Sequence, residues 1–114
     1  MSPRLFIAVR NDLPPAVAGV QACHAVARAV AGRELADDTH FVLVGVPSQD
    51  ALLKLANQLD YDGQPYALFD EPDDNLGPTA LATPPGSKAA GKRFSRWPLW
   101  TGTCVEPMPG WASS

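Results

Sequence analysis

Two uninterrupted apolar runs constrain this chain more than any other feature: Leu5-Phe6-Ile7-Ala8-Val9 and Phe41-Val42-Leu43-Val44-Gly45-Val46. Both are the length of a strand, and neither alternates with polar residues. Each therefore predicts a strand buried on both faces, the kind found in a sheet covered by helices on both sides. Each run is followed by a helix opener. Pro14-Pro15 cannot donate to a strand ladder but suits the first turn of a helix. Pro47-Ser48 offers Ser48 as an N-cap, with Asp50 well placed against the helix dipole.

The first helix is predicted from Ala16 to about Gly32, carried by its alanines and stopped by the glycine. Val20, Cys23, Ala27 and Val30 fall at helical spacing and predict the buried stripe. Cys23 is accordingly expected as a small core residue. Gln21, His24 and Arg28 form a second, polar stripe. In the second helix, Leu52, Leu55, Ala56 and Leu59 predict the core face. Tyr66-Ala67-Leu68-Phe69 and Thr79-Ala80-Leu81-Ala82-Thr83 read as two further strands, joined by an acidic, turn-rich loop from Asp70 to Pro78. The order β-α-β-α-β-β predicts an α/β fold with a mixed four-stranded sheet and helices packed on it. The third and fourth strands are expected to be antiparallel. A length of 114 residues fits one domain over 1–114. The segment 84–114 reads as loop-rich, basic and aromatic, with its last residues loosely ordered.

Net charge is −3, which taken alone speaks against a nucleic-acid-coating protein. The distribution is less simple. Residues 1–33 carry Arg4, Arg10, Arg28 and Arg33 against Asp12, for +3. Residues 34–74 carry ten acids against Lys54, for −9. Residues 75–114 carry Lys88, Lys92, Arg93 and Arg96 against Glu106, for +3. No apolar run reaches the ~18 residues of a membrane span, and the N-terminus lacks signal-peptide architecture, so a cytoplasmic protein with reduced cysteines is expected. The two cysteines, Cys23 and Cys104, fit no zinc pattern, and adjacent Cys23-His24 point about 100° apart on a helix, a poor nucleophile–base pair. Walker and GxGxxG loops are absent, as is a GxSxG elbow.

The remaining polar residues cluster near strand ends, where open α/β sheets place their sites. They are Arg10 and Asp12 after strand one, Gln21, His24 and Arg28 on helix one, and Asp70, Glu71, Asp73 and Asp74 before Thr79. Acid–base chemistry needs a proton acceptor, a group that orients it and a donor for developing negative charge. His24, an acid such as Asp73, and Gln21 or Thr79 supply those residue types. Each also has a bland reading, as a packed helix residue or a solvated loop.

The segments Val9-Arg10-Asn11-Asp12-Leu13 and Val20-Gln21-Ala22-Cys23-His24-Ala25 resemble the opening signature of the second peptidyl-tRNA hydrolase family. That family's pattern is a strand ending in V-R-x-D-L and a helix carrying A-Q-x-x-H-A. Phe69-Asp70-Glu71-Pro72-Asp73 and Thr79-Ala80-Leu81-Ala82 are similar to the E-P-D loop and T-A-x-A strand of its short bacterial and phage-like relatives. The basic stretch from Arg93 to Leu99 is like their closing segment, so the resemblance spans about residues 4–100. It implies a compact α/β domain, commonly a homodimer, that hydrolyses the ester between peptide and tRNA without a cofactor. By carry-over it implies catalytic roles for Gln21, His24, Asp73 and Thr79, with Glu71 as the alternative acid. Arg10 and Asp12 of the strand-end motif, together with the basic Arg28, Lys92, Arg93 and Arg96, make the expected tRNA-binding set, with Trp97 or Trp100 either stacking on a base or packing in the core. One departure stands out. The archaeal-type enzymes carry a Gly-Lys pair at the helix start, where this chain has Ala16-Val17. A hydrolase-like domain that binds RNA or a protein without turnover is the alternative that this departure favours.

Overall fold

The computed structural model describes residues 2–102. Cys104 and the proline-rich end expected to be loosely ordered lie outside the described residues. Strand β1 (Arg4–Arg10) leads to helix α1 (Pro15–Ala29), then β2 (His40–Val46), α2 (Gln49–Tyr61), β3 (Ala67–Glu71), β4 (Gly77–Ala82) and a short helix α3 (Gly91–Phe94). The four strands form one mixed sheet in the order β2-β1-β4-β3. β1 runs parallel to β2, and β4 runs antiparallel to both β1 and β3. The α/β fold with a mixed four-stranded sheet is therefore as the sequence indicates.

The first apolar run becomes an inner strand of a three-layer structure. The second becomes the edge strand β2, buried only toward its end, with Phe41 50% exposed, so it is not covered on both faces along its whole length. Leu5, Ile7 and Val9 of β1 pack with α1, whereas Phe6 and Ala8 pack with α2 and α3. That split explains why β1 is apolar from Leu5 to Val9, since both of its faces are covered there. Ser48 caps α2 as its residue type suggests, its hydroxyl accepting from the Ala51 N–H at 3.1 Å. Leu52, Leu55, Ala56 and Leu59 form the buried face of α2.

Helix α1 departs from its expected orientation. The stripe of Val20, Cys23 and Ala27 faces solvent, with Val20 54% exposed. The buried face is Ala18, Gln21, Ala22, Ala25 and Ala29. Cys23 is therefore exposed, not a core residue. Alanines carry no bulk that must be shielded, so the helix is free to rest on the side where a small surface meets the sheet. A pattern built on larger apolar residues misses this, because Val20 is single and isolated.

The segment after β4 also differs from a plain loop. It forms a short 3-10 turn at Lys88–Ala90 and then α3, burying Ala90 and Phe94 against the α2 face. The chain then returns along β2. The Gly45 N–H donates to the Pro98 carbonyl at 3.0 Å and the Trp100 N–H to the Leu43 carbonyl at 2.9 Å. The two tryptophans part across the sheet, Trp97 against the α2-side core and Trp100 against the α1-side core. Gly45 permits this closure. A Cβ there would lie 3.0 Å from Asn11 Nδ2 and 3.3 Å from Trp100 Cδ1.

Candidate active site

The polar residues of α1 meet β3 and β4 on the α1 side of the sheet. Gln21 is 4% exposed, placed among alanines on the buried face of its helix. A buried amide requires partners for both its ends. The Thr79 hydroxyl donates to Gln21 Oε1 at 2.8 Å, and Gln21 Nε2 donates to Glu71 Oε2 at 3.2 Å. The other Glu71 oxygen, Oε1, accepts from the Asp73 backbone N–H at 3.2 Å. The result is a directed chain, Thr79 to Gln21 to Glu71, that fixes the carboxylate by a donor on each oxygen.

A strand irregularity makes this chain possible. Phe69 pairs with Ala80, but Asp70 pairs with Pro78, so Thr79 is the extra residue of a bulge. Along β4, Ala80 and Ala82 face α1 while Leu81 faces α2. Strict alternation would turn Thr79 toward α2. The bulge re-aims it toward Gln21, where it is fully buried. Its hydroxyl lies 2.8 Å from Gln21 Oε1 and 3.5 Å from the Phe69 carbonyl, a placement that positions the amide.

His24 and Arg28 lie one turn apart on α1, over Phe69. The His24 ring stacks on Phe69 with centroids 4.6 Å apart and an interplanar angle of 11°. The Arg28 guanidinium carbon stands 4.9 Å from the same ring centroid. Both side chains are exposed, so an imidazole and a cation face solvent beside the buried chain. Phe69, at 6% exposure, acts as the platform that orients them.

The expected site residues thus divide. Gln21, His24, Thr79 and Arg28 come together. The acid in the hydrogen-bonded set is Glu71, whereas Asp73 is exposed and contributes its backbone N–H. Strand periodicity carries the signal for Glu71: β3 runs on through Asp70 to Glu71, and Phe69 and Glu71 then share a face. Reading the strand as ending at Phe69 loses it.

Arg10 and Asp12, expected in the tRNA-binding set, are bound to each other at the end of β1. Arg10 is 3% exposed. Its Nε and Nη2 donate to the Asp12 carboxylate at 3.0 and 2.9 Å, and its Nη1 donates to the carbonyls of Leu76 and Pro78 at 2.8 and 3.1 Å. The pair ties the end of β1 to the β3–β4 connection and so holds the bulge in place. Lys92, Arg93 and Arg96 lie in the segment packed on the α2 side, across the sheet from His24. Arg93 is bound to Asp62 by two hydrogen bonds, at 2.7 and 2.8 Å. The Arg93 guanidinium holds the Asp62 carboxyl below the usual carboxylate range. The basic segment after β4 therefore does not flank the His24 side of the sheet.

Among the described residues, no group of three or more His, Cys, Asp or Glu side chains is placed to hold a metal ion. No described helix is long and apolar enough to cross a membrane. Compared with known proteins, the chain matches no protein-family model and no curated protein.

Proposed function

We propose that this chain hydrolyses the ester joining a peptide to the 3′-terminal ribose of tRNA, without a cofactor. The observation that carries the reading is the Thr79–Gln21–Glu71 chain beside the solvent-facing His24 and Arg28. Gln21, His24, Glu71 and Thr79 are residues of the two motifs that resemble the second peptidyl-tRNA hydrolase family, and the two motifs lie far apart in the sequence.

In the proposed mechanism His24 accepts a proton from water, and the hydroxide attacks the ester carbonyl carbon. The tetrahedral intermediate collapses, the C–O bond to the ribose breaks, and the ribose oxygen takes the proton back from the imidazole. Glu71 orients the water through its fixed carboxylate. Arg28 holds a phosphate near the 3′ end. Thr79 and Gln21 are positioning residues for Glu71.

The test is peptide release from peptidyl-tRNA. His24→Ala and Glu71→Gln are each expected to lower the rate at least ~100-fold, within the range of a general acid–base contribution. Asp73→Asn is expected to cost much less than Glu71→Gln. Wild-type release equal to buffer sinks the enzyme reading. It leaves the second reading, an RNA- or protein-binding domain on the same fold, which rests on Ala16-Val17 at the start of α1 where the archaeal-type enzymes carry glycine and lysine. Salt-dependent tRNA binding without turnover then marks the RNA version. Homodimerisation belongs to the hydrolase reading and is checked by sedimentation velocity.

A further inference from the structure

A groove of about 1170 Å³ opens on the side of the sheet opposite His24, between β2 and the segment that carries α3. Its apolar lining includes Val42, Val44, Trp97 and Leu99. Beneath, Phe6 and Phe94 stack with centroids 5.3 Å apart. Gly91 keeps that floor open: a Cβ there would come within 2.9 Å of Phe6 Cζ. Leu99 stays 67% exposed, a large apolar side chain left without cover among the described residues.

The rim is cationic. Arg4, Lys88 and Lys92 line the groove, all three are exposed, and no Asp or Glu lines it. None of the three forms an ion pair among the described residues. Lys92 acts electrostatically on Asp62, but that carboxylate already carries Arg93. In a chain of net charge −3, three cations gathered over an aromatic floor select for a ligand that is anionic at one end and flat and apolar at the other.

We propose that this groove binds a nucleoside phosphate unit, with its phosphate held by Arg4, Lys88 and Lys92 and its base laid on Trp97 and Leu99. Base–aromatic stacking and phosphate neutralisation are the two terms that bind single-stranded nucleic acid without sequence preference, and both are built here on one surface. The unit comes from a free mononucleotide or from a strand of RNA. The proposal does not depend on ester hydrolysis, because the groove and His24 lie on opposite faces of the sheet.

The test is an NMR titration of the full ¹⁵N-labelled chain with adenosine monophosphate, a short oligoadenylate, and an oligoglutamate of matched charge. The nucleotide ligands are expected to shift the Trp97 indole and the Val42 and Leu99 amides. Lys88→Glu combined with Lys92→Glu, both at exposed positions, is expected to weaken binding at least ~10-fold while leaving the dispersed spectrum of the folded chain. With one phosphate neutralised, oligoadenylate affinity is expected to fall about 3-fold between roughly 50 and 200 mM salt. Tighter binding of the oligoadenylate assigns an RNA strand. Equal or tighter binding of the mononucleotide assigns a free nucleotide. The proposal is overturned if neither nucleotide ligand shifts these signals. It also fails if oligoglutamate binds as well, or if the double charge reversal leaves affinity unchanged.

Discussion

The two faces of the sheet are built on opposite principles. On the α2 side, Leu52, Leu55, Leu59, Phe6 and Phe94 fill the space between helix and strands with bulk. On the α1 side, Ala18, Ala22, Ala25 and Ala29 do the packing, and Gln21 sits among them. A leucine-packed face gains stability from buried area but has no place for a polar chain. An alanine-packed face gives up some of that area. In return it admits a glutamine side chain that reaches Thr79 and Glu71 on two different strands. Stability and chemistry are thus divided between the layers, and β1, apolar from Leu5 to Val9, separates them.

That division can be broken or sharpened by substitution. The largest effect is expected at Arg10, which joins the α1-side loop to the strand end. Arg10→Ala leaves Asp12 and two backbone carbonyls without their donor, and removing one partner of a buried pair costs about 3–5 kcal/mol. Denaturant unfolding should show it, and replacing Arg10 and Asp12 together with apolar residues should cost less than the single change. Next comes Leu55→Ala on the α2 side, at about 2–5 kcal/mol. Peptide release at a temperature where the variant is folded should stay near wild type. Equal damage to activity there would show that the faces are not independent.

Ala25→Leu inverts that pattern. Ala25 is fully buried between α1 and the sheet, so the added bulk is expected to cost about 1–3 kcal/mol by overpacking. It should also shift α1 and lower peptide release by more than Leu55→Ala does, despite its smaller effect on stability. The smallest effect is expected at the rim. The Arg93 hydrogen bonds lower the Asp62 carboxyl from its ordinary value. A depressed folded value means the stabilisation is present above the ordinary carboxylate range and is lost as pH falls through the lowered value. Thermal unfolding should therefore separate Asp62→Asn slightly from wild type at neutral pH, and the two should converge at the acid end.

The elements of the fold could be read from local patterns because each has a local cause. Leu5–Val9 and Phe41–Val46 are apolar and short enough to form strands, the first covered on both faces and the second at the sheet edge, and Ser48 caps the helix it precedes. The polar stripe of Gln21, His24 and Arg28 was likewise visible, since helical spacing places those residues on adjoining turns. The rotation of α1 was not. When nearly every candidate for the buried face is alanine, hydrophobicity hardly distinguishes one side from another, and complementarity to the sheet decides. Nor was the aim of Thr79 visible, because one extra residue in β4 reverses the face on which alternation would place it. The acid joined to Gln21 depended on how far β3 continues, which strand pairing settles in favour of Glu71.

The charge pattern marks the same boundary. The order of the chain supplied two basic ends around an acidic middle. Only the tertiary structure decided that one end turns inward at Arg10 while Lys88 and Lys92 open on the far side of the sheet. Composition and periodicity act on neighbours in the chain and so specify strands, helices and their caps. Contacts between Gln21, Glu71 and Thr79 span 50 and 58 residues, and they exist only once packing has brought three elements together.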